Sequence, residues 1–376
     1  MDDTRVLSPA PPAGLSAGQS CSWPPAAGHA EWRSGLRSAV LDVVGEFVKV
    51  HTTDLVVAGL DEAGEILAEF VSGGKCLRST FMYLGWLCGA PPSGAALKAA
   101  ASLELLHAFA LLQDDVMDDS DERRGRPAVH VRLGRWHRER GLSGSRRFGE
   151  SAAILLGDLC LIWAAQMLRE SGIESRRLQG AWPRYDAMRA ELAVGQFADL
   201  VIDVRQLPSL EAVLDVARRK SGNYTVRRPL EIGAAMAGCG DSLLTQLGRY
   251  GAAVGEAFQL RDDVLAVFGA PAETGKPNSG DLLERKATSV VVSAYELADA
   301  PTRRELVALM HTEELDESAL DRWRTLIIAT GALERIEDMV VCRLASARKY
   351  LADMPISDPV RDALSDLAGA CGVRSQ

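Results

Sequence analysis

From Glu31 onward the chain repeats apolar residues at i, i+3, i+4 and i+7, as in Val40, Val43, Val44 and Phe47. That spacing lines one face of a helix. Gly73-Gly74, Pro91-Pro92, Gly141 to Gly144, Pro208 and Pro271 punctuate the pattern, as residues that end helices do. The pattern predicts about a dozen helices and no alternation that would make a strand. Stretches 95–118, 147–171 and 241–268 are apolar on most faces, so they belong inside a bundle rather than on its surface. Residues 1–28 are rich in Pro, Ala, Gly and Ser without periodicity and read as a mobile tail. The expected architecture is all-α, with one domain over 29–376.

Composition narrows the class. The chain has 376 residues, 47% of them hydrophobic and 25% charged, enough apolar surface for a large core. Its net charge of −9 argues against a nucleic-acid partner, which selects a basic field. An acidic protein that binds anions must gather its cations locally or recruit a metal. Cys21, Cys76, Cys88, Cys160, Cys239, Cys342 and Cys371 are dispersed, with no CxxC pair. Such a set reads as free thiols in a reducing cytoplasm. No apolar run reaches about eighteen residues, so no membrane span is expected, and the N-terminus lacks the basic and apolar halves of a signal peptide.

The chemistry concentrates at two helix ends. Asp114 and Asp118 are four apart, on one face of a helix whose preceding turns, LELLHAFALLQ, are apolar. Like charges at that spacing repel. Mg²⁺ would relieve the repulsion, since it takes oxygen ligands from one or two carboxylates plus substrate phosphates. A solvated acidic helix end is the plainer alternative. Arg123, Arg124 and Arg126 follow within two turns, and guanidinium groups suit phosphate oxygens. Gly125 and Pro127 would turn them back toward the carboxylates, where simple ion pairing is also possible. Phe258-Gln259-Leu260-Arg261-Asp262-Asp263 repeats the motif, but Ala266 stands four after Asp262, so no second i, i+4 clamp forms. Ser72-Gly73-Gly74-Lys75-Cys76-Leu77-Arg78 opens a helix and presents glycines and two cations, a weak anion signal. Lys220-Ser221 and Gly275-Lys276 are weaker still, and Lys286, which follows Asp281 and Glu284, reads equally as an ion-paired lysine. His107, two turns before Asp114, reads by itself as a core histidine.

Together, GGKxxR, His, DDxxD with RRGxP, KS, FQxxDD and GK, in that order, resemble the trans-type isoprenyl diphosphate synthases. Phrases such as KSGNYTVRRPLEIGAAMAG are similar in particular to actinobacterial geranylgeranyl diphosphate synthases. The resemblance runs from about residue 70 to 290. It implies an isoprenoid synthase-type helical bundle around a deep central cavity, a homodimer, and a Mg²⁺ cluster of about three ions per site. Asp114, Asp118 and Asp262 would hold the metal. Arg123, Lys220, Ser221, Gln259, Lys276 and Lys286 would hold an allylic diphosphate, and Lys75, Arg78, His107 and Arg124 isopentenyl diphosphate. Asp114, Asp118, Arg123, Lys220 and Asp262 would carry catalysis. Ser79 stands where many relatives have Pro, Ser221 where Thr is usual, and Ala266 and Ala270 where carboxylates are common.

The implied reaction is head-to-tail condensation. A diphosphate leaves the allylic carbon, and fixed cations stabilise the charge it takes away. The alkene of isopentenyl diphosphate attacks the resulting cation in an apolar tunnel that excludes water. Phe109 lies five residues below Asp114, roughly 7.5 Å along the helix. In this family a bulky residue there limits chain length, and Ala110 beside it leaves room. The expected product is geranylgeranyl diphosphate (C20), with farnesyl diphosphate (C15) next. A class I terpene cyclase, which holds one diphosphate, and a non-catalytic regulatory subunit of a prenyl synthase remain as alternatives.

Overall fold

A computed structural model describes residues 28–201, 207–269, 280–312 and 315–373. The expected tail over 1–28 lies almost wholly outside the described residues, as do Ala270 and Lys276. The described residues form α1 (His29–His51), α2 (Thr53–Val57), α3 (Asp61–Val71), α4 (Leu77–Leu87), α5 (Gly94–Met117), α6 (Val129–Glu139), α7 (Ser145–Arg169), α8 (Ser175–Val201) and α9 (Leu210–Ala217). A π-helical segment, Arg218–Arg227, leads into α10 (Arg228–Ala237). Then come α11 (Asp241–Phe268), α12 (Gly280–Leu283), α13 (Ser289–Leu297), α14 (Ala300–His311), α15 (Glu317–Ala329), α16 (Ala332–Ala352) and α17 (Asp358–Val373).

The three stretches read as interior helices are α5, α7 and α11, each within a few residues of its expected ends. The helices outnumber the expectation because short ones such as α2 and α12 span too few turns to show a period. Ser93 starts α5 as an N-cap, its side chain accepting from the Ala96 amide, a common way to satisfy a first-turn donor. Ala99 to Leu106 of α5 are buried without a break, enclosed by α1, α4 and α7. By length and composition α5 and α7 are apolar enough to cross a membrane. In α5 that character is explained by its place in the core, while α7 leaves Leu155 and Ile162 exposed at 64% and 58%. A second apolar cluster gathers Leu260, Val264, Trp323, Ile327 and Ile336, and Leu344 packs against both clusters. The π segment lies tight on α11: a Cβ on Gly255 would stand 2.5 Å from the Gly222 carbonyl oxygen.

The all-α expectation holds with one small exception. A two-stranded antiparallel hairpin, β1 (Glu122–Arg123) and β2 (Arg126–Pro127), follows α5. Arg124 and Gly125 form its loop with φ of 55° and 70°, the double positive φ of a type I′ turn. Strands of two residues cannot show alternation, so periodicity passes over them.

Candidate functional site

The hairpin decides where each arginine goes. Arg123, on β1, turns back onto the end of α5: its Nε donates to Asp115 Oδ1 at 2.7 Å and its Nη2 lies 3.6 Å from Asp114 Oδ2. Arg126 instead pairs with Glu69 of α3, which also binds Arg132 at 2.8 Å. Arg124, at the turn, is thrown to the other side. Its guanidinium nitrogens lie 3.4 Å from where a Cβ would stand on Gly73 and on Gly74. The loop before α4 is thus packed against Arg124 through its glycines. Arg37 of α1 donates to the Gly74 carbonyl at 2.6 Å and helps fix the loop. Cys76 closes it in the left-handed region, φ 49°.

Two cationic groups result. In the first, Lys220 Nζ lies 3.3 Å from Asp114 Oδ1 and 2.6 Å from Asp199 Oδ2. Lys286 Nζ lies 3.1 Å from Asp118 Oδ2 and 2.7 Å from Glu284. Both aspartates of the i, i+4 pair are therefore faced by ammonium groups from distant parts of the chain. Burial pushes the Asp114 carboxyl up, but Lys220, Arg123 and Lys286 outweigh it and hold it below the ordinary carboxylate range. Burial likewise disfavours the charged form of Lys220, yet Asp114 and Asp199 raise it above a normal lysine. Both ions stay charged at neutral pH. Asp118, Asp199, Lys220, Ser221, Gln259 and Lys286 line a cavity of about 510 Å³.

In the second group, the Arg78 guanidinium lies 4.4 Å over the Tyr224 ring, and the His107 ring stands 6.2 Å from the same ring. Such cation–π stacking fixes an arginine without neutralising it. Burial first, and then Arg78, Arg124 and Arg123, push His107 well below the usual imidazole range. It is neutral at pH 7, with one ring N–H to donate. His107 Nδ1 and Arg78 Nε are buried with no hydrogen-bond partner among the described residues, so each has hydrogen-bonding capacity left for a ligand or a water. Lys75 is exposed just before α4.

The π segment joins the two groups, carrying Lys220 and Ser221 at its start and Tyr224 one turn on. Departures from α geometry of this kind concentrate at functional sites.

The second aspartate motif is arranged differently from the first. Asp263 is buried and accepts from Gln259 Nε2 at 2.8 Å, the Ser289 amide at 3.0 Å and Ser289 Oγ at 2.6 Å. Asp263 lines the cavity; Asp262, half-buried beside it on α11, is not among the residues that do. Phe109 and Ala110 are half-buried on α5 below Asp114 and pack against the core.

Sequence reasoning missed Asp199, Tyr224, Arg37 and Glu104. Asp199 is brought to Lys220 by Gly195, one turn earlier on α8: a Cβ there would stand 2.6 Å from the Lys220 amide nitrogen. Only glycine permits that approach, so Gly195 was the available signal. Ser79 has a clear role. Its hydroxyl donates to buried Glu104 at 2.7 Å and lies 2.9 Å from the Ala100 carbonyl, tying α4 to α5. Proline there would leave Glu104 without that partner.

The polyprenyl synthetase family model matches residues 61–327. Geranylfarnesyl diphosphate synthase of Aeropyrum pernix is 32% identical over 79% of this chain and 88% of its own. Geranylgeranyl diphosphate synthase of Mycobacterium tuberculosis is 32% identical over 77% of each chain. Among solved structures, geranylgeranyl pyrophosphate synthase of Corynebacterium glutamicum, complexed with isoprenyl diphosphate and magnesium, superimposes with a TM-score of 0.86. It is 34% identical and covers 90% of this chain and 99% of that one.

Proposed function

The chain belongs to the polyprenyl synthetase family, and from that premise we propose that it joins isopentenyl diphosphate head to tail to an allylic diphosphate. The proposed product is a short-chain trans-prenyl diphosphate, geranylgeranyl diphosphate (C20) first and farnesyl diphosphate (C15) second. The observation that carries this reading is the presence of two cationic groups, Lys220 with Lys286 and Arg78 with Arg124, linked by one π segment that carries Lys220 and Tyr224. A reaction that ionises one diphosphate and holds a second needs both. A cyclase, which ionises a single diphosphate, has no use for the second group.

Among the described residues no three carboxylates, imidazoles or thiols converge to hold a metal by themselves. Asp114 and Asp118 nonetheless fit Mg²⁺, which is usually held by one or two carboxylates with substrate phosphates completing its shell. Their negative charge is matched by lysines that are equally suited to phosphate oxygens. Asp262 is proposed as a further ligand. Mg²⁺, when bound, stabilises charge on the departing diphosphate. The protein's own part is positioning and fixed charge. Lys220, Lys286 and Arg123, with Ser221, Gln259 and Lys276, would orient the allylic diphosphate and stabilise it as it leaves. Lys75, Arg78, Arg124 and neutral His107 would hold isopentenyl diphosphate with its alkene toward the allylic carbon, the gain that comes from orientation. The apolar face of α5 around Phe109 would keep water from the cation.

Residues 29–376 are proposed as one domain acting as a homodimer. Leu155 and Ile162 on α7, with Val194 and Phe197 on α8, are more than half exposed, and a second copy would cover them. Placement in a reducing cytoplasm is proposed from the dispersed cysteines, of which Cys76, Cys160 and Cys371 are buried thiols. The test is consumption of isopentenyl diphosphate by the purified chain with dimethylallyl, geranyl or farnesyl diphosphate. Turnover that stops on chelation and returns with Mg²⁺ supports the reading. Conversion of the allylic substrate alone to a cyclic hydrocarbon would replace it with a cyclase.

A further inference from the structure

Between residues 129 and 150 lie six arginines and two glutamates, in a chain of net charge −9. This segment is therefore 6 − 2 = +4, and the rest of the chain −9 − 4 = −13. The structure gathers the arginines at the corner where α6 turns into α7. Arg135, Arg138 and Arg140 are exposed. None of the three forms an ion pair among the described residues, and Arg140 donates only to the Trp136 carbonyl. Arg146 and Arg147, both sharing Glu150, are still 70% and 83% exposed. Arg132 differs, since it is tied to Glu69.

The corner is held by aromatic packing. Phe148 stacks on His137 at 4.1 Å and lies 5.8 Å from Trp136. The Arg140 guanidinium covers the Trp136 ring at 3.9 Å. At the tip of the turn Leu142 is 53% exposed.

We propose that this corner is a docking surface for an anionic bilayer, with Arg135, Arg138 and Arg140 on lipid phosphates and Leu142 entering the headgroup layer. Guanidinium forks match phosphate oxygens in pairs. Basic clusters are drawn to the negative potential of anionic lipid, and an apolar anchor beside them adds affinity that charge alone does not supply. Leu142 favours a partner with an apolar layer beneath its phosphates over a nucleic acid, which offers none at its backbone. The corner also borders the diphosphate site. Arg146 reaches Asp119 at 2.6 Å, one residue past Asp118. Docking here brings the site near the bilayer into which a prenyl product's tail partitions. That benefit rests on the proposed activity; the docking does not.

The experiment is co-sedimentation of the full chain with vesicles of phosphatidylcholine, alone or mixed with phosphatidylglycerol, at low and high salt. The chain should sediment with the mixed vesicles only, and salt should release it. The triple variant Arg135→Gln, Arg138→Gln, Arg140→Gln should lose about fivefold in partitioning per arginine while keeping its prenyl transfer rate in vesicle-free buffer. Leu142→Gln should weaken partitioning with every charge in place. Equal retention by both vesicle types, no retention by either, or undiminished binding of the triple variant would overturn the proposal. So would displacement of the chain from mixed vesicles by duplex DNA. Sedimentation needs no turnover, so it is read independently of whether the chain makes a prenyl diphosphate.

Discussion

Asp199→Asn keeps the shape of the side chain that Lys220 leans on and removes its charge. In the structure the Lys220 ammonium is shared between Asp199 at 2.6 Å and Asp114 at 3.3 Å, with side chains 23% exposed for Lys220 and 31% for Asp199. A hydrogen bond to a charged group contributes about 1.5–3 kcal/mol. Partial exposure places this one at the lower end, about 1.5 kcal/mol, or roughly tenfold in rate. Without Asp199 the ammonium is drawn wholly to Asp114, away from where an allylic diphosphate needs it. Allylic kcat/KM should therefore fall about tenfold. The KM for isopentenyl diphosphate should stay put, because Arg78, His107 and Arg124 form a separate group. Asp199→Glu, which restores the charge on a longer arm, should recover part of the loss. Steady-state kinetics with each substrate varied at saturation of the other gives both numbers. An allylic kcat/KM within about twofold of the parent, or equal losses for the two substrates, would refute the argument.

Three further outcomes are expected. Phe109→Ala should lengthen the product by one or more isoprene units, read by mass spectrometry after phosphatase treatment; an unchanged distribution would remove Phe109 as the floor of the tunnel. His107 resists protonation in the folded state, so between its depressed pKa and about 6.5 the unfolded chain binds the extra proton and stability falls as pH falls, by up to about 1.4 kcal/mol per pH unit. Urea unfolding at pH 5 and pH 7 should show a smaller difference in His107→Gln than in the parent; equal differences would show that His107 is not the group responsible. Ile162→Glu places a charge on the exposed face of α7 and should convert a dimer to monomers in sedimentation velocity, whereas an unchanged sedimentation coefficient would remove that face from the interface.

The long apolar helices were legible because their apolar character spans many turns, from burial in α5, where Ala99 to Leu106 are buried without a break, and in α7 partly from an exposed apolar face. The Asp114–Asp118 pair was legible for the same local reason, since i, i+4 spacing is fixed by helix geometry. What escaped was set by contacts between distant segments. Asp199 reaches Lys220 only because Gly195 lets α8 approach the π segment. Tyr224 has a role only because Arg78 and His107, from two other helices, stack around it. The hairpin at 122–127 was too short for any period to register, yet it separates Arg123 from Arg124 and sends them to different groups. Ser79 could be seen as a departure from the family, but its bond to Glu104 joins residues twenty-five apart in sequence and needed the packed structure.

Prenyl transfer is tested most directly by the mass of the product formed from isotopically labelled isopentenyl diphosphate and geranyl diphosphate by the parent chain and by Asp114→Asn. The expected product is a linear prenyl diphosphate that carries the label in each added unit and is lost with Asp114. An unlabelled product, or a labelled one formed equally well without the Asp114 carboxylate, would contradict it.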